Sequence, residues 1–263
     1  MFEYFKRIFW RNRGLGCLRN IYDPRDRKFE SELTSIPNNA SVEKYVTEVL
    51  DQRATSSCVA HSVAHAISIM EKKSGFDYGT PSRLFLYWNS RRQHNNEDVD
   101  QGTYIRACMK GLRSYGVPDE AYWPFKIARV NDKPAGFSPW TMADSRKDGE
   151  YLAIDALGNE RTKMIRQAVA EGYPVVFGTA LVKSFLSSKG PLIVEKPRFS
   201  DPIVGRHAMC IVGYENRLYR VLNSWGKQWR DNGFCWMTED YIKWLQSSDF
   251  TIVRGWARLN RED

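Results

Sequence analysis

The 263-residue sequence has only four histidines, and none of its five cysteines stands in a CxxC pair. Cysteines that far apart support neither a disulfide framework nor a zinc knuckle, and they favour a cytoplasmic or other reducing compartment. HSVAH at 61–65 lacks the glutamate that a zinc hydrolase uses as base. His61 and His65 therefore read as core or rim histidines, with no metal and no cofactor expected. Long apolar runs are also missing, and no stretch reaches the length of a membrane span. The opening MFEYFKRIFWRNRGLGCLRN is broken by Lys6, Arg7, Arg11 and Arg13, so it does not read as a secretory signal. Internal repeats and low-complexity tracts are absent.

What is present is an ordinary globular composition, 42% hydrophobic and 27% charged, rich in aromatics. That is enough for one large domain or two lobes with a sizeable core. The net charge of +8 favours encounter with acidic partners without specifying a function. Phe2, Phe5, Phe9 and Trp10 share one face of a short basic amphipathic pattern, expected to contact an anionic surface such as membrane or nucleic acid.

Residues 1–40 read as a basic extension rich in turn formers. The helix beginning near Cys58 follows, with Ser56 and Ser57 as N-caps, apolar residues on nearly all sides, and Gly75 at its end. PSRLFLYWNSRR is a second helix opened by Pro81, and GTYIRACMKGLRSYGV a third, stopped at Gly116. Residues 124–148 form a polar connector. NERTKMIRQAVAEG leads into strand patterns at YPVVFGTAL, HAMCIVGYE, RLYRVLNSW and GFCWMT. Helices early and strands late predict an α+β fold with two unlike lobes.

The stretch DQRATSSCVAHSVAHAI, residues 51–67, leaves Cys58 open to three readings: nucleophile, metal ligand or buried packing residue. A helix N-terminus favours the thiolate, and a partner imidazole would stabilise it further. His94 sits in a polar stretch and reads as solvated. His207 opens an apolar strand. Sixteen residues later Asn223 is placed to orient its ring, and Trp225 to shield that contact.

Three blocks in order resemble the papain-like cysteine peptidases: Asp51-Gln52 six residues before Cys58, RHAMCIVGY at 206–214, and NSWGKQWRDNGF at 223–234. Asp100-Gln101-Gly102 is similar to the family's glycine strip, and AYWPF at 121–125 to another of its segments. The resemblance implies Cys58 as nucleophile, His207 as general acid/base, Asn223 as orienting amide and Gln52 as oxyanion donor. It implies Trp225 as cover, Gly102 as the residue pairing with substrate backbone, and Gly178 with Ala208 in the pocket for the second residue upstream of the cut.

The implied fold is two-lobed: residues 41–263 as the peptidase domain, with a helical lobe mainly at 56–125 and an antiparallel β-barrel-like lobe mainly at 150–263, the cleft between them. The implied function is monomeric cysteine endopeptidase on a polypeptide substrate. Two alternatives stay open: a narrow-specificity amide hydrolase or acyl transferase with the same triad, and a basic binding or structural protein retaining the fold.

Departures from the family pattern are also visible. Arg53 stands in place of a glycine, Val59 in place of a tryptophan, and Thr55 in place of a cysteine. Arg206 precedes the histidine, where a cation is expected to depress the imidazolium pKa. The extension is shorter than the family's inhibitory propeptides, which argues against control by an occluding N-terminus and assigns it no part in the chemistry.

Overall fold

Residues Cys58–Lys73 form a helix that is buried on almost every side, as its apolar sequence requires. The computed structural model describes residues 13–147 and 149–255. In chain order the elements are β1 (Cys17–Leu18), β2 (Asn39–Ser41), α1 (Cys58–Lys73), α2 (Arg83–Arg92), β3 (Thr103–Tyr104), α3 (Ile105–Tyr115), α4 (Ser138–Ala143) and β4 (Glu150–Ala153). There follow α5 (Gly158–Ala170), β5 (Val175–Val182), β6 (Ile193–Val194), β7 (Ile203–Glu215), β8 (Leu218–Leu222), β9 (Phe234–Thr238), α6 (Glu239–Lys243) and β10 (Ser247–Arg254). The architecture is α+β and papain-like, with helices early and a mostly antiparallel sheet late.

Eight strands form one sheet in the order β4-β10-β5-β7-β8-β9-β6, with β2 added to β7; only the β6–β9 pair is parallel. Strand β7 is the longest, and its two faces serve two cores, as the period of two along a strand dictates. Ala208, Cys210 and Val212 pack with Val59, Val63 and Ile67 of α1. Met209 and Ile211 face the other cluster, with Phe177, Trp225 and Trp229. His207, one residue before Ala208, accordingly belongs to the tryptophan side.

Local chemistry sets the helix ends differently from expectation in two places. Ser57 precedes α1 but makes no capping bond; its hydroxyl lies 3.1 Å from His61 Nδ1 and 2.6 Å from the Thr55 hydroxyl. The Asp100 carboxylate instead accepts from the Ser56 N–H at 2.9 and 3.2 Å, placing negative charge where the helix dipole favours it. Helix α2 is capped by Ser82, whose hydroxyl accepts from the Phe85 N–H, rather than opened by Pro81. Helix α3 stops at Gly116, where φ is +69°, as the sequence pattern predicts.

Strands β4 and β10 escaped the sequence reading. In β10 the run SSDFTIVR begins polar, and Asp249 at φ +62° interrupts its alternation with a bulge. His94 is exposed, as expected, beside Tyr104.

The end of α1 is tied to the connector by a buried ion pair. Arg146 Nε donates to Glu71 Oε1 at 2.6 Å and Nη2 to Oε2 at 3.1 Å, both side chains almost fully enclosed. Burial pushes the Glu71 carboxyl up despite the arginine. Arg146→Met should therefore cost about 3–5 kcal/mol by stranding the carboxylate. Glu71→Met added to it should restore most of that loss. Urea denaturation of the two variants measures both, and equal stabilities would contradict the assignment.

Candidate active site

The first residue of α1 and the histidine of β7 meet at one groove because the helix packs along the strand. Cys58 and His207 are both fully buried. Backbone N–H groups of Ala208, Gly16, Val59 and Cys58 itself face the sulfur. His207 Nε2 lies 2.7 Å from Asn223 Oδ1, which also accepts the Ser224 N–H at 2.8 Å. That second bond fixes the amide orientation, so Nε2 carries the hydrogen and donates. Nδ1 is left as the lone-pair nitrogen, buried and without a hydrogen-bond partner. Trp225 covers the pair, its ring centroid 4.7 Å from the imidazole.

Gln52 is held from both ends. Its Oε1 accepts from the Ser224 hydroxyl at 2.7 Å, and its backbone N–H donates to the Ser224 carbonyl. One Nε2 hydrogen goes to the Thr55 carbonyl at 2.8 Å and the other to the Gly14 carbonyl at 2.9 Å. Ser224 thus locks both amides, a role the sequence reading missed inside its own NSWG block. Tyr87 and Asp100 were missed too: the Tyr87 hydroxyl donates to Asp100 at 2.6 Å and accepts the Gly102 N–H at 2.9 Å. That link ties the glycine strip to the start of α1.

The groove holds the chain's own residues 13–18, contrary to the expectation that so short an extension would not occlude it. Gly14 lies against Thr55 and Gly16 against Ser56, so closely that a Cβ at either would stand 2.1 or 1.9 Å from the carbonyl oxygen beneath. Glycine is required there. The Gly16 carbonyl accepts from the Thr103 N–H at 2.8 Å, and β1 pairs parallel with β3 beside Gly102. Cys17 follows, buried against Gly178, whose cross-strand partner in β7 is Ala208. Gly102, expected to pair with substrate backbone, and Gly178 and Ala208, expected in the pocket, therefore line one trough. Beyond it, Asn20 N–H donates to Asp249 at 3.3 Å, and Arg106 grips Asp26 and the Ile21 carbonyl. The pattern at Phe2, Phe5, Phe9, Trp10, Lys6, Arg7 and Arg11 lies outside the described residues.

This lining sets the electrostatics. Burial pushes the Cys58 thiol up to about 11, against the facing N–H groups. Burial also drives His207 down to about 4; the Asn223 bond opposes this and the Arg13 charge adds to it. Both shifts favour the neutral forms and so work against a thiolate–imidazolium pair under the segment. The expected depressing cation was Arg206. It points away instead, donating to the Gln246 carbonyl and the Ser248 hydroxyl. Arg53, in the expected glycine position, adopts φ +55° and bonds Asp51 through its N–H. His61 and His65 serve the core: His61 Nδ1 meets the Ser57 carbonyl at 3.0 Å, and His65 Nε2 accepts the Leu50 N–H.

A helix-borne sulfur at the backbone N–H of Ala208, the residue after a strand-borne imidazole, beside a trough that takes up an extended polypeptide, is the build of a cysteine protease. The chain belongs to the papain family: the model described as papain family cysteine protease matches residues 36–249. A peptidase C1-like protein of Acanthamoeba polyphaga mimivirus is 33% identical over 215 residues, covering 78% of this chain and 69% of its own. Human cathepsin L2 is 25% identical over 239 residues, covering 86% of this chain and 68% of its own. The crystal structure of xylellain, a cysteine protease from Xylella fastidiosa, superposes with a TM-score of 0.84 at 28% identity. It covers 92% of this chain, which covers 96% of xylellain.

A raised thiol pKa means that the thiolate appears only as pH climbs toward that value. At pH 7 a thiol of pKa about 11 holds about 10⁻⁴ of its population as thiolate. Iodoacetamide should thus label Cys58 slowly at pH 7 and roughly tenfold faster per pH unit above it. Gly16→Val, whose side chain has no room, should eject the segment and speed labelling at pH 7 at least about tenfold. Mass spectrometry of the Cys58 peptide reads both, and an unchanged rate would show that something other than the segment buries the thiol.

Proposed function

We propose that the chain is an endopeptidase acting through Cys58, His207 and Asn223, and that residues 13–18 hold it inactive until they leave the cleft. The observation that carries the reading is the Gly14 carbonyl on Gln52 Nε2 at 2.9 Å, a peptide carbonyl resting on the side-chain donor beside the thiol. The Cys58 N–H, at the first position of α1 and so without an intrahelical acceptor, supplies the second donor.

Once the segment leaves, solvent and substrate reach the pair. The Cys58 proton passes to His207 Nδ1 as the sulfur attacks the carbonyl carbon. Negative charge collects on the oxygen facing Gln52 and the Cys58 N–H. The C–N bond then breaks, the leaving amine takes the proton from Nδ1, and a thioester remains at Cys58. Water, deprotonated by the same nitrogen, attacks the thioester and releases the acid. Asn223 keeps Nε2 as the donor throughout, so that Nδ1 is always the nitrogen that exchanges protons.

Substrate residues upstream of the cut lie along Gly102, Gly178 and Ala208 in the direction implied by the family. The bound segment runs the other way, from Asp51 and Trp225 at Arg13 to Gly178 at Cys17. It presents a backbone N–H, that of Gly16, to the sulfur. A reversed strand uses the same donors without offering a bond in position for attack. Five free, buried cysteines support residence in a reducing compartment. The basic residues before Arg13 are assigned to attachment on an anionic surface, which predicts vesicle binding that weakens with salt.

Cys58→Ala should abolish peptide hydrolysis with the fold intact, whereas Cys210→Ala should leave turnover largely unchanged. Equal loss in both would remove Cys58 from the mechanism. Gln52→Ala should lower kcat by roughly 10²-fold with little change in KM. A rise in KM alone would make Gln52 a substrate-binding residue instead. Gly16→Val should raise kcat/KM on short peptides, and an unchanged or lower value would contradict occlusion. Transfer of the acyl group to an added amine in preference to water would favour the acyl-transferase alternative.

A further inference from the structure

The segment in the cleft also shows what one end of the cleft accepts. Arg13 Nη1 lies 2.7 Å from Asp51 Oδ1, and Nη2 donates to the Trp225 carbonyl at 3.2 Å. The guanidinium carbon stands 5.6 Å from the centroid of the Trp225 ring, and the side chain is only 9% exposed. A carboxylate, a carbonyl and an aromatic face each favour a cation, and here they converge on one. None of the three belongs to the segment. Asp51 and Trp225 are joined by their own backbone bridge, so the seat persists when Arg13 leaves.

Among the described residues, the competing cation is weak. Arg53 Nε approaches the other carboxylate oxygen at 3.4 Å, but its side chain is 58% exposed and screened by solvent. Among the described residues, Oδ1 would then keep the Arg53 backbone N–H alone, at 2.9 Å. Gly14 marks the oxyanion position, and upstream substrate residues lie on its Gly102 side. Arg13 sits on the opposite side, where the leaving portion of a substrate must run.

We propose that Asp51 and the Trp225 face select substrates carrying a basic residue at one of the first two positions after the scissile bond. This inference rests on the endopeptidase reading above. Arginine is preferred to lysine, because one guanidinium reaches the carboxylate and the carbonyl at once while its carbon stands 5.6 Å from the ring centroid.

The test uses the full chain carrying Gly16→Val, which frees the cleft, together with Arg13→Ala, so that the seat is vacant. Internally quenched peptides would differ only in having Arg, Lys, Ala or Glu at the first and second positions after the cut. Expected is a kcat/KM about tenfold higher for Arg than for Ala at one of those positions, lowest for Glu, with the ratio shrinking in high salt. Adding Asp51→Asn, which keeps shape and removes charge, should bring the Arg-to-Ala ratio near one. Turnover with no basic preference in the Arg13→Ala, Gly16→Val protein overturns this inference alone. A preference that survives Asp51→Asn and high salt overturns Asp51 as its origin. No turnover of any peptide overturns the endopeptidase reading and this inference with it.

Discussion

The packing of α1 along one face of β7 is the constraint from which the site follows. A helix apolar on all sides has to be enclosed, and Ala208, Cys210 and Val212 provide the floor on which Val59, Val63 and Ile67 rest. That contact brings the first residue of the helix to the stretch of β7 that carries His207 and Ala208. The alternation of β7 then sends His207 to the side of Trp225 and Trp229 and Ala208 to the side of the helix. Sulfur and imidazole are positioned by elements whose own burial has already fixed their place. The geometry does not depend on the two groups attracting one another.

That independence matters because, beneath residues 13–18, burial works against the charges that would attract. It raises the thiol and lowers the imidazole together, disfavouring both charged forms. Arg13 adds to the effect on His207 from the far end of the segment. In the proposed reading occlusion acts twice: residues 13–18 fill the space a substrate needs and add to the burial that disfavours the charged pair.

The three blocks around Cys58, His207 and Asn223 were legible because side-chain chemistry at fixed spacing leaves a mark in the sequence. Ser224 and Asp100 were less so, since each works through a partner distant in the chain: Gln52 for one and the Ser56 N–H for the other. The segment in the cleft was hidden for a different reason. RGLGC acts through its backbone, and glycine at alternate positions looks like a loop until the wall it lies on is known. Arg206 misled because sequence adjacency to His207 suggests contact, whereas neighbours on a strand point to opposite faces. Strand β10 was lost at Asp249, where a bulge breaks the period that would have revealed it.

The hold of the segment on the groove rests largely on its backbone. Hydrogen bonds from Gln52 to Gly14 and from Thr103 to Gly16 each contribute about 0.5–1.5 kcal/mol, modest for a free peptide. The segment is tethered, however, and its far end is fixed by Asn20 on Asp249 and Arg106 on Asp26. Tethering replaces a bimolecular encounter by a local one, with an effective concentration on the order of millimolar. Weak contacts then suffice to keep the groove filled. Stronger ones, such as large side chains at positions 14 and 16, have no room against Thr55 and Ser56. The fit that requires glycine thus also limits the grip of the segment, leaving the charged contact at Arg13 and the clamp at Arg106 as the points where its hold is set.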